Sequence, residues 1–477
     1  AMFTYAIARG VNRGWLNRRT YAPIAMLGWQ GVATKVNAAG EVEDVCVGTG
    51  VAFDAAFYYF RPRHVRAREH HGMIDVRADY RPDGTVALMT RSGVGLLDQG
   101  VSSFTFESAG TLSPSTLFDP DPDKTQVGKL ILTAPSGLTL DLVTQGVVQG
   151  GELGGLITLR DKTLVEAQAQ LDEIAAGLAQ AFSTNQVPGT PATQGAQKGL
   201  ELDLTGLQKG NDVVLTYALD GVEQRVRVVN TTEPMDYKDA SGQRVIGLNL
   251  SGDLSGSAAQ LSSKLDGLSI TATADGKLSV LDDGAAGRTD VKAAVGRITS
   301  GGTRGQGLGL NLFVDEGNAA FTNNIDSDPP QKQGFAARIA INSEVLADNR
   351  LLVQHEPGST LGDAKRADYV LGQLKTMNFV SGGDPKAGPT RFQLTGNLSE
   401  VVSQVIGYQG ATVNTALSKA EDRQLTLDTL ETQMNSEYGI NVDEEMSRLM
   451  EIQNAYAANA RVVSVVKELL DALFAAV

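Results

Sequence analysis

The sequence predicts an α+β protein: a long helical, coiled-coil-like shaft with β-rich segments and an inserted β-rich domain. Three observations carry this. Apolar residues return every three or four positions from Leu449 to Val477, broken only at Asn459, and helical patterning also covers 155–184 and 398–438. Between these stretches lie short runs with two-residue alternation, separated by Asp-Gly and Ser-Gly turns. The helical stretches are long for a globular domain, and the strand runs are too many to be incidental.

Residues 1–71 stand apart. They hold both tryptophans (Trp15, Trp29), the one cysteine (Cys46) and three of the four histidines (His64, His70, His71). They are rich in Arg and show no sustained helical or strand period. From Gly72 the pattern changes. Strands are expected at Thr85–Met89, Val94–Leu97, Ser103–Phe106, Lys129–Leu132 and Thr139–Val143, giving a β-rich part of the shaft domain over 72–150. The Asp119–Asp123 run lacks the Gly and terminal Glu of a calcium loop and reads as a solvated turn.

An amphipathic helix follows within a 151–189 shaft segment, with Leu164, Leu171, Ile174, Leu178 and Phe182 as its expected buried stripe. Residues 190–390 read as the inserted β-rich outer domain. Its strand candidates are Leu200–Leu204, Val213–Leu219, Gln224–Val229, Ile246–Leu250, Leu268–Ala272 and Lys277–Leu281, with hairpin turns at Asp220–Gly221 and Asp275–Gly276. Short helices are expected at Ala258–Leu265 and Asp363–Met377. The glycine-rich stretch 301–311 lacks the GxxxxGK[ST] spacing of a phosphate loop.

Within a 391–438 shaft segment, a helix over about Leu398–Tyr438 carries Val401, Val405, Tyr408, Val413, Leu417, Ala420, Leu427, Leu430 and Met434 towards one side. Gly439 separates it from an assembly helix over 439–477. There the seam is Leu449, Ile452, Tyr456, Asn459, Val463, Val466, Leu470 and Leu473, ending at Val477, and Asn459 alone is polar. Asp443, Glu444 and Glu445 complement the positive end of this helix. From about Val442 it would run roughly 50 Å at 1.5 Å per residue. So thin a stripe on so long a helix needs a partner helix. A second face is small and polar (Asn454, Ala457, Ala458, Asn459, Ala460) and suits close packing among identical helices.

The stretch GINVDEEMSRLMEIQNAYAANARVVSVVKELLDALF resembles the carboxy-terminal helix of bacterial flagellar axial proteins. The Gln453–Ala455–Tyr456 and Ala458–Asn459–Ala460–Arg461 elements are common to hook and rod proteins. A second block, GGELGGLITLRDKTLVEAQAQLDEIAAGLAQAFS at 150–183, narrows the resemblance to the hook-associated protein 1 family, the hook–filament junction proteins. Residues 72–183 and 390–477 carry the resemblance well, and the middle carries it loosely.

That resemblance implies a structural role without enzymatic activity. It implies an extracellular place in the flagellum after type III export without a signal peptide. The implied partners are a ring of identical subunits, the hook protein, the second junction protein (hook-associated protein 3) and an export chaperone on the carboxy-terminal helix. Hook-associated protein 3, the hook protein, or more remotely a secreted adhesin or enzyme are the alternatives. The family also implies an amino-terminal helix that pairs with the carboxy-terminal one. Nothing like it stands in residues 1–71, which read as an atypical segment from a shifted frame or misplaced start, the alternative being a divergent but real domain.

Composition excludes other classes. A formal charge of −14 disfavours a nucleic-acid surface. One cysteine gives no internal disulfide, and no apolar run reaches the length of a membrane span. Catalytic, cofactor and metal sites are expected to be none: GxSxG, HExxH and dinucleotide fingerprints are missing, and the histidines cluster among arginines that repel a cation.

Overall fold

A computed structural model describes residues 73–82, 85–98, 100–360, 362–380, 393–438 and 442–476. The unusual segment 1–71 therefore lies outside the described residues. The fold is α+β, and the chain divides into two units at Val401–Val402.

The first unit opens with two small antiparallel sheets. Strands β1 (Val76–Tyr80), β2 (Val86–Thr90) and β3 (Gly95–Leu97) form one, and β4 (Ser103–Glu107), β5 (Lys129–Thr133) and β6 (Thr139–Asp141) form the other. Helix α1 (Gly151–Thr158) follows and leads through a π-helical turn, Leu159–Thr163, into α2 (Leu164–Ser183). Leu132, Leu142, Val147 and Val148 form a core on which Leu153 and Ile157 of α1 pack.

The π turn inserts one residue into the helical ladder, as such bulges do. Asp161 is buried there, beside the Arg160 guanidinium that also donates to the Gly128 carbonyl at 3.2 Å. The Arg160–Asp161 pair is thus a packing contact that ties the helix to the entry of β5.

The buried face of α2 differs from the expected leucine stripe. Leu164 and Leu171 are exposed, while Asp172, Ala175, Ala176, Gly177, Ala179 and Ala181 are buried. Small side chains let neighbouring segments approach closely. Phe321 and Phe335 stack at 4.2 Å against this alanine face. Asp172 accepts backbone N–H bonds from Gly334 at 2.7 Å and Ala336 at 2.8 Å, capping the short turn Phe335–Ala337. Burial nonetheless pushes its carboxyl above the ordinary range.

The β-rich portion comprises β7 (Thr184–Pro188), β8 (Thr190–Gln194), β9 (Gln197–Leu202), β10 (Asp212–Leu219), β11 (Val222–Asn230), β12 (Met235–Lys238) and β13 (Arg244–Leu248). It continues through α3 (Leu254–Lys264), β14 (Ser269–Ala272), β15 (Leu278–Leu281) and β16 (Thr289–Thr299). A six-stranded sheet runs β12-β13-β11-β10-β16-β7, and a four-stranded sheet runs β14-β15-β9-β8. Leu202, Val213, Leu215, Val228, Leu278 and Val280 fill one core, closed by Ala258 and Leu261 of α3. Asp220 and Gly221 both take positive φ between β10 and β11. That is the two-residue turn whose twist matches paired strands. Strand β16, which pairs with both β10 and β7, was not among the sequence candidates.

The remaining stretch carries β17 (Phe313–Asp315), β18 (Ala319–Ala320), β19 (Ala340–Ile341), α4 (Ser343–Ala347), α5 (Lys365–Thr376), β20 (Phe379–Val380) and β21 (Thr395–Gly396). Finally come α6 (Leu398–Tyr438) and α7 (Val442–Ala476), matching the expected helices closely.

Buried charge fastens the large sheet. Asp212 on β10 accepts from Arg227 Nε on β11 at 2.7 Å and from Arg297 Nη2 on β16 at 2.6 Å. Burial alone would raise its carboxyl, but Arg297 and Arg227 outweigh that and hold it below its ordinary 3.8. The stability this depression contributes is complete above about pH 4, the unfolded carboxylate value, and is lost as pH falls through the lowered folded value. Replacing Asp212 by Ala leaves two half-buried guanidinium groups without their shared counter-ion and is expected to cost about 3 kcal/mol. Denaturant unfolding followed by far-ultraviolet circular dichroism checks this. A loss below about 1 kcal/mol, the level of an exposed pair, would contradict the buried clamp.

Candidate assembly surface

The second unit presents its side chains outward. Every described residue from Glu445 to Ala472 on α7 is exposed, and so is every one from Val413 to Met434 on α6. Soluble helices usually turn their apolar stripe inward. Here Leu470 is 46% exposed and Tyr456 78%, with Leu449, Ile452, Val463 and Val466 between.

The structure places these six apolar residues and Asn459 on one unbroken helix. At 3.5 residues per repeat they share a face, since the steps alternate three and four. Leu473 falls within α7, but its side chain, like Val477, lies outside what is described. Val413, Leu417, Leu427, Leu430 and Met434 repeat the same arrangement on α6. The buried apolar positions of α6 are Val401 and Val405, near its start. A further exposed set joins Leu156 and Leu159, which escaped the sequence reading, to Leu164 and Leu171, which it placed in a buried stripe. Its spacing of three, five and seven is the heptad pattern plus the extra residue of the π turn. That five-residue step is the signal that was available.

Polar clusters elsewhere are closed on themselves. A polar cleft of about 690 Å³ is lined by Lys209, Asp315 and Arg338. Three of its charges are paired, Arg338 with Asp315 at 2.9 Å and Lys209 with Asp326 at 3.0 Å. Among the described residues no group of three His, Cys, Asp or Glu could hold a metal ion, and no helix is long and apolar enough to cross a membrane.

The glycine-rich stretch 301–311 does structural work. Arg366 of α5 is wholly buried and donates to the carbonyls of Thr303 at 3.0 Å, Leu351 at 2.6 Å, Gln354 at 3.2 Å and Gly309 at 3.4 Å. Burial, with the charge of Arg304 adding to it, pulls its guanidinium down to about 10. Carbonyls gathered on a cation have the opposite polarity to an amide cradle for phosphate. Arg366→Met should therefore strand several buried acceptors and destabilise the fold by about 3 kcal/mol or more. A thermal melt indistinguishable from the parent would contradict this.

Comparison with known proteins points the same way as the exposed helices. Residues 431–475, which take in the end of α6 and all but the last residue of α7, match a family model described as flagellar basal body rod FlgEFG protein C-terminal. Residues 67–202 match one described as flagellar hook-associated protein FlgK helical domain. The chain is thus similar to the axial proteins of the bacterial flagellum. In particular it is similar to flagellar hook-associated protein 1 of Salmonella typhimurium and of Salmonella typhi. It is 25% identical to each over 339 residues, which cover 69% of this chain and 51% of the relative. The chain spans about half the length of these curated relatives.

Residues 1–76 match a different family model, described as Glycosyl Hydrolase Family 88. The two matches meet over 67–76, beside Gly72, where the sequence pattern changes.

Proposed function

We propose that this chain is a structural component of the bacterial flagellum, joining hook to filament by helix-mediated self-association and performing no catalysis. The observation that carries the reading is the apolar seam of α7, exposed along its described length on a segment similar to flagellar rod proteins. An isolated helix with such a stripe leaves a long apolar surface in water, which soluble proteins usually cover. Burying each apolar seam side chain is worth about 1.5–3 kcal/mol, opposed by the cost of ordering the partners. The similarity of 67–202 to the hook-associated helical domain favours this junction over hook-associated protein 3 or the hook protein.

The partners that go with this reading are further copies of the chain, the hook protein, hook-associated protein 3 and an export chaperone on α7. The place of action is outside the cell, in the flagellum, after type III export. Residues 1–71 have two readings. One is a shifted frame or misplaced start, and the other is a segment similar to a hydrolase family joined near Gly72. The DNA across the Gly72 codon separates them: an intact upstream frame in the same phase contradicts the first.

Val463→Asp together with Leu470→Asp places two charges in the seam. Each would enter an apolar contact unpaired, at a cost of several kcal/mol. The double variant should fail to assemble on hooks while its circular dichroism keeps the strand signal of the parent. Normal assembly at hook ends, seen by electron microscopy, would refute the role of the seam.

A further inference from the structure

We draw no further inference here: the strongest candidate, the exposed leucine face that Leu156, Leu159, Leu164 and Leu171 form along α1 and α2, is an unpartnered apolar surface, and nothing in the structure shows what covers it.

Discussion

An apolar seam exposed along the described length of α7 is the constraint on which the second unit depends. Helix α7 has the periodicity of a coiled-coil strand, and its side chains face outward from Glu445 to Ala472. A helix of this kind draws little stability from propensity alone, because most helical stability in proteins comes from packing an apolar face. In the proposed assembly a partner helix supplies that packing. The exposed leucines and valines of α6 extend the same logic to a second helix.

The first unit is built on the opposite principle. Its cores are closed, and its buried charges are held by several partners each. Asp212 binds two arginines across three neighbouring strands, and Arg366 gathers four carbonyls from two segments of chain. Asp172 caps a short turn against α2 despite the burial that disfavours its charge. Each of these groups would be costly if one partner were withdrawn. They hold irregular segments, such as 300–312 and 331–338, that lack a ladder of their own.

Much of this was legible in the sequence where local pattern suffices. The bounds of α6 and α7 follow from long uninterrupted periodicity, and the β10–β11 hairpin follows from Asp220–Gly221 between two apolar runs. The candidate seam was legible as a period, because spacing alone places Leu449 to Leu470 on one face. What escaped depends on contacts made elsewhere. Leu164 and Leu171 have the spacing of a buried stripe, yet the alanines of α2 are buried instead, because Phe321, Phe335 and α5 pack closely there. The π turn shifts the leucines before and after it by one residue, and no propensity announces such a turn. Strand β16, with its paired alanines and Gly296, carries weak strand preference and is held by pairing on both sides. Arg366 offered no sequence signal, since its partners are backbone carbonyls.

Amide hydrogen exchange along α7, compared between the dispersed chain and its assembled polymer, tests the central claim most directly. An uncovered seam leaves the helix free to open locally, so its amides should exchange rapidly in the dispersed chain. On assembly, protection should appear first and most strongly between Leu449 and Leu470. Slow exchange of those amides already in the dispersed chain, with no further change on assembly, would contradict the account.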